Sequence, residues 1–226
     1  DIVSNTINLG NRVGFHDDAP TVITHTPLNS LVVDETNLTV NDTKNFADAF
    51  TVNYGADGAG TTVYSLGVKS QGVDSGVVDI ATGEKVYLYL ESGVVVGRVG
   101  SAGAADPLGQ QAFTLTVDGT TANVTLDQIR ALQHPTGGTS SPNELISLTT
   151  DAVTLTATAT DKDGDIVSNT INLGNRVGFH DDGPSFSDYS PKPTTDAAFD
   201  YDNAANKAST TDGHVYEAHL PLGSTP

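Results

Sequence analysis

Apolar residues alternate with polar ones along most of this chain, and that period of two predicts strands. In residues 85–90, Val86, Leu88 and Leu90 share one face while Tyr87 and Tyr89 share the other. Residues 112–118 place Phe113, Leu115 and Val117 together. Residues 152–160 place Val153, Leu155, Ala157 and Ala159 inward, with Thr154, Thr156, Thr158 and Thr160 on the opposite face. Further strands are expected at 2–9, 12–15, 49–54, 62–68, 94–99 and 122–126. Turn signals separate them: Gly10-Asn11, the glycine-rich run at 55–60, Ser92-Gly93 and Asp118-Gly119. One stretch departs from the pattern. Residues 127–133 read as a helix of about two turns, with Asp127 as N-cap and Pro135 as its stop. Short strands, tight turns and one short helix predict an antiparallel β-sandwich with Greek-key connections, larger than a minimal immunoglobulin domain.

The same pattern occurs twice. Residues 1–20 read DIVSNTINLGNRVGFHDDAP and residues 165–184 read DIVSNTINLGNRVGFHDDGP, so nineteen of twenty positions agree at an offset of 164. The chain therefore reads as a window on a tandem array. Residues 1–20 are expected to be the terminal strands of a preceding repeat and residues 21–184 one complete repeat. Residues 185–226 are expected to be a linker, with a possible start of the next module where Val215, Glu217 and Leu220 echo the spacing of Val33, Glu35 and Leu38. A repeat of this length is long enough to bury a core of its own, unlike the short units of a solenoid.

Composition narrows the partners. Twenty-eight acidic against ten basic side chains give a formal charge of −18, so neither nucleic acid nor an anionic membrane is an expected partner. No apolar run is long enough to span a bilayer. A divalent cation is the natural counter-charge. With no cysteine, a disulfide scaffold, a thiolate metal site and a cysteine nucleophile are excluded.

The acidic residues gather at the ends of the repeat. Asp161, Asp163 and Asp165 alternate in the DKDGD turn, and Gly164 allows the chain to fold tightly enough for the three carboxylates to converge. Hard oxygen donors at that density suit calcium, although Ile166 and Asn172 stand where an EF-hand needs glycine and glutamate. A solvated acidic turn is the alternative. Asp181 and Asp182 are expected to close a hairpin that opens at Asp165 and so to share its end of the sandwich. Asp17, Asp18, Asp34 and Glu35 are the corresponding donors at the first junction, and Asp57 in the 55–60 turn is a further candidate. Carboxylates so gathered repel unless a cation intervenes, and the expectation is calcium bridging neighbouring repeats.

Other motifs are weaker. His16 and His180 precede Asp-Asp pairs and read as structural junction residues, and His134 as a residue at a helix end. The threonine face suits an ice- or sugar-binding surface, or the ordinary polar face of a sheet. Tyr87 and Tyr89 suit sugar stacking, or half-buried sheet positions. No nucleophile elbow, phosphate loop or HExxH motif occurs, and an enzyme is not expected.

The segments FADAFTVNYGADGAG, VYSLGV, the His134-Pro135 pair, LTATATDKDGDIVSNTINLG and FHDDGP resemble the repeat of type I-secreted, repeats-in-toxin giant adhesins of Gram-negative bacteria. The resemblance covers residues 32–184 and the fragment 1–20. It implies an extracellular, cell-surface β-sandwich extender with calcium at its linkers, anchoring a filament for attachment and biofilm formation. Calcium-binding roles would fall on Asp161, Asp163, Asp165 and Asp182, then on Glu35, Asp34 and Asp57. The implied partners are neighbouring repeats of the same polypeptide rather than an external ligand. A sugar-, peptide- or ice-binding module of the same adhesin is the alternative.

Overall fold

The computed structural model describes residues 1–135 and 144–181. The expectations for Asp182 and for the 185–226 tail fall outside them. The chain is mainly β and antiparallel. Fourteen strands occur among the described residues: β1 (Thr21–Thr24), β2 (Leu31–Asp34), β3 (Asp42–Asn45), β4 (Phe50–Asn53), β5 (Thr61–Val68), β6 (Val73–Val78), β7 (Lys85–Glu91), β8 (Val94–Val99), β9 (Gln111–Val117), β10 (Asn123–Gln128), β11 (Leu145–Ser147), β12 (Val153–Thr160), β13 (Ile166–Asn172) and β14 (Val177–His180).

A six-stranded sheet, β3-β10-β9-β8-β7-β6, forms one wall of a sandwich, with β6 to β10 running as a simple meander. Opposite lie the sheets β13-β12-β5 and β11-β14-β2 and the pair β1-β4. The alternation read from the sequence sets the burial. Val153, Leu155, Ala157 and Ala159 are fully buried, as are Val86, Leu88, Phe113 and Leu115 from the facing wall. Phe113 and Phe179 meet across the core, ring centroids 5.2 Å apart. The threonines point outward and satisfy one another, Thr156 with Thr170 and Thr158 with Ser168, each at 2.8 Å. Tyr89 is buried, and the Tyr87 hydroxyl donates to the Gly103 carbonyl.

Three expectations are corrected. Residues 127–133 are not a helix. Val124, Leu126 and Gln128 alternate into the core, β10 pairs with both β9 and β3, and the chain continues extended so that Leu132 bridges Asp79. Pairing of Asp127 and Gln128 with β9, and backbone bonds of residues 129–133 with Ala112, Val78 and Ile80, outweigh a lone capping signal, and Arg130 gains the buried carboxylate of Asp79 at 2.7 Å.

The second correction concerns residues 1–16, which form no strand even though the same sequence forms β13 and β14. The second copy already occupies β12, β11 and β2, and the first copy has no such partners within this chain. Ile2, Val3, Ile7 and Phe15 stay exposed. What survives in both copies is local: Gly10–Arg12 and Gly174–Arg176 are single 3₁₀ turns. Each is closed by the same 2.8 Å bond, Arg12 N to Leu9 O and Arg176 N to Leu173 O.

Third, β13 and β14 are not the two arms of a hairpin. Residues 144–160 and 166–181 form one long antiparallel ribbon whose tip is the DKDGD turn. The pairing runs from Thr160 with Ile166 to Thr154 with Asn172, passes through Leu173 N to Val153 O and Leu148 N to Val177 O, and ends at Leu145 with His180. At about 3.3 Å per residue, Asp165 and Asp181 are separated by on the order of 40–50 Å of extended chain. The two acidic groups thus occupy opposite ends of the sandwich.

Candidate functional site

At the tip end, the Asp161 amide donates to the Asp165 carbonyl, closing the turn at 3.1 Å. The Asp161 Oδ1 then accepts from the backbone N–H groups of Gly164 (3.0 Å) and Asp165 (2.8 Å). The second glycine-rich turn, residues 55–60, packs against this one. A Cβ on Gly60 would come within 2.0 Å of the Thr160 carbonyl oxygen, so only glycine permits the approach. Gly55 sits at φ +74°, and a Cβ there would lie 2.7 Å from Asp18 Oδ2. In its absence Asp18 reaches the Ala56 amide at 3.0 Å. The 1–20 segment is thereby latched to the 55–60 turn through Asp18.

These contacts gather carboxylates. One oxygen each of Asp17, Asp57 and Asp163 lie within 4.8 Å of one another, and so do those of Asp161, Asp163 and Asp165. Asp57 Oδ2 and Asp161 Oδ2 are buried and have no hydrogen-bond partner. The electrostatics follow. Asp163 is pushed up to about 6, first by sharing a proton with the Asp161 carboxyl, then by desolvation and the charges of Asp161, Asp17 and Asp57. Asp165 is raised mainly by Asp17. Burial tends to raise Asp161, but its bonds from Asp163 and the turn amides outweigh that, and it titrates below the usual carboxylate range. Orphaned buried oxygens among mutually repelling carboxylates fit a hard cation of the calcium type, which would draw ligands from Asp17, Asp57, Asp161, Asp163 and Asp165.

The remaining candidates lie elsewhere. Asp34 caps the 3₁₀ turn Glu35–Asn37 by accepting from the Thr36 amide at 2.9 Å, and the Thr36 side chain and amide together lower its pKa. Glu35 and Asp181 are at the opposite end with His134, one donor atom of each within 4.8 Å of the others. Burial raises the Glu35 pKa, offset in part by the Leu132 amide, Gln128 and His134. Asp181 therefore joins Glu35, while its counterpart in the first copy of the repeated segment, Asp17, joins Asp57 and Asp163. Sequence spacing pointed to Glu35 and Asp181 but not to their neighbour His134, which was expected at a helix end.

No helix among the described residues is long and apolar enough to cross a membrane. No curated protein and no solved structure matches the chain. A protein family described as a domain of unknown function, DUF5801, matches residues 30–174, the stretch that holds β2 to β13 and the DKDGD tip. The chain belongs to that family.

Proposed function

We propose that this chain is a calcium-stabilised extender module of an extracellular, cell-surface adhesin of the type I-secreted, repeats-in-toxin kind. It would project a distal ligand-binding domain for surface attachment and biofilm formation, with neighbouring repeats as its partners. The observation that carries the reading is the composition of the tip cluster: Asp17 from the preceding repeat lies with Asp57 and Asp163 of this one, beside two buried carboxylate oxygens that have no partner. An ion held there ties two consecutive repeats together and, by linkage, favours the aligned arrangement over a loose one. The affinity expected of such an extracellular site is about 10⁻⁴ to 10⁻³ M. The near-identical copies at residues 1–20 and 165–184 support the same junction recurring along a filament.

Small-angle scattering of a protein carrying several tandem repeats tests this. Calcium should lengthen it and narrow its range of shapes, and chelator should reverse both. Equal dimensions in the two conditions would overturn the stiff-spacer reading. The sugar- or ice-binding alternative draws less support, because Thr156 and Thr158 are engaged with Thr170 and Ser168 and Tyr89 is buried.

A further inference from the structure

We propose that the end of the sandwich opposite the DKDGD tip is a second, chemically different metal site. It would take a divalent transition-metal ion of the zinc class, held by the His134 imidazole and the carboxylates of Glu35 and Asp181. One donor atom from each of the three lies within 4.8 Å of the others. The side chains of His134 and Glu35 are 3% and 5% exposed, and His134 Nε2 is 3.6 Å from Glu35 Oε1, too far for a hydrogen bond. Neither ring nitrogen of His134 has a hydrogen-bond partner. A buried imidazole unsatisfied on both sides is costly, and a metal ion on one nitrogen removes half of that cost.

The surroundings fit a built site rather than a chance cluster. Glu35 Oε1 is fixed by the Gln128 side-chain amide at 2.6 Å and the Leu132 backbone amide at 2.8 Å. Asp181 is placed by the end of the ribbon, its amide bonded to the Glu144 carbonyl at 2.9 Å. Such outer contacts orient metal-bound carboxylates. Gln128 Oε1 is also buried without a partner, on the side chain whose Nε2 donates to Glu35. One nitrogen and two carboxylate oxygens form a donor set that suits zinc, manganese or iron. Calcium prefers six to eight oxygens and gains little from imidazole. Zinc bonds of about 2.0–2.1 Å would draw the three donors closer together through side-chain rotation of Glu35 and Asp181.

Chelator-treated full chain, titrated calorimetrically with Zn²⁺ in the presence of excess Ca²⁺, tests the proposal. One zinc per chain is expected. His134→Ala and Asp181→Asn should each weaken binding by about tenfold or more, while His16→Ala leaves it unchanged. Co²⁺ used as a probe should give visible ligand-field bands in the parent and lose them in His134→Ala. Asp181→Asn alters a partly exposed residue, so it answers the question even if His134→Ala fails to fold. No zinc uptake, or uptake indifferent to both substitutions, would overturn the site and leave a histidine-carboxylate contact only. A separate outcome bears on calcium: Asp163→Asn should cut the calcium response to less than about a third and spare zinc binding, and His134→Ala should do the reverse.

Discussion

Replacing Asp163 by asparagine should invert its effect on stability according to whether calcium is present. Without the ion, Asp163 stands against Asp161, Asp17 and Asp57 and holds its proton up to about pH 6. A carboxyl whose folded pKa is raised contributes stability that is fully present below its unfolded value of 3.8 and is lost as pH rises through about 6. In chelator at pH 7 the parent bears the repulsion, so Asp163→Asn should melt higher than the parent. At about pH 4, where Asp163 is itself protonated in the folded state, the two should converge. With calcium the order reverses. An ion at about one hundred times its dissociation constant stabilises the chain by about 2.7 kcal/mol. For a module of this size that is a rise in Tm of about 5–10 °C. The variant should retain less than about a third of that rise, because it loses a charged ligand at the centre of both carboxylate triads. Thermal melts across pH 4–8, in chelator and in about 10–100 mM calcium, read all four arms. A variant that melts below the parent in chelator at pH 7, or that keeps the full calcium shift, would refute the reasoning.

Gly55→Ala should release the preceding tail: it strains a left-handed backbone by about 1–2 kcal/mol and drives a methyl into Asp18. Protease sensitivity around residues 10–20 should rise while the sandwich stays folded. Asp79→Ala should cost about 3 kcal/mol in urea unfolding, because the Asp79 carboxylate is fully buried against Arg130 and its loss strands the guanidinium. Despite burial, bonds from Arg130 and Thr82 hold Asp79 below the usual carboxylate range. Its contribution is therefore present above its unfolded pKa and is lost as pH falls through the lower folded value. Phe113→Ala should cost about 3–5 kcal/mol by opening the core against Phe179.

The strands legible in the sequence are those whose alternation is long and clean. β7, β9 and β12 fill one face with Val, Leu, Ala or Phe, and nothing local competes. The short strands β3, β6 and β11 escaped because they lack that alternation: β3 is Asp-Thr-Lys-Asn, and β6 contains Asp-Ser-Gly. The 127–133 stretch misled because a capping aspartate and a downstream proline are local signals, whereas its extended shape is imposed by pairing with β9 and with residues 78–80. The twice-occurring 20-residue segment makes the same point within one chain. Its 3₁₀ turn forms in both copies, and its strands form only where partners exist.

Of the candidate site, the convergence of Asp161, Asp163 and Asp165 was legible from residue type, but their company with Asp17 and Asp57 was not, because Asp17 was expected beside Asp34 and Glu35. The separation of Asp181 and Glu35 from that cluster was not. It depends on ribbon register, which places the DKDGD turn at the tip and Asp181 at the open end. His134 could not be singled out either, because its burial comes from the extended path of residues 129–134.

The most direct measurement is anomalous diffraction from crystals of this chain grown in abundant calcium. The expected result is an ion bound jointly by Asp17 and by carboxylates of Asp57, Asp161, Asp163 and Asp165. Density showing those side chains turned into solvent with no ion between them, or an ion bound without Asp17, would contradict a calcium-tied junction between repeats.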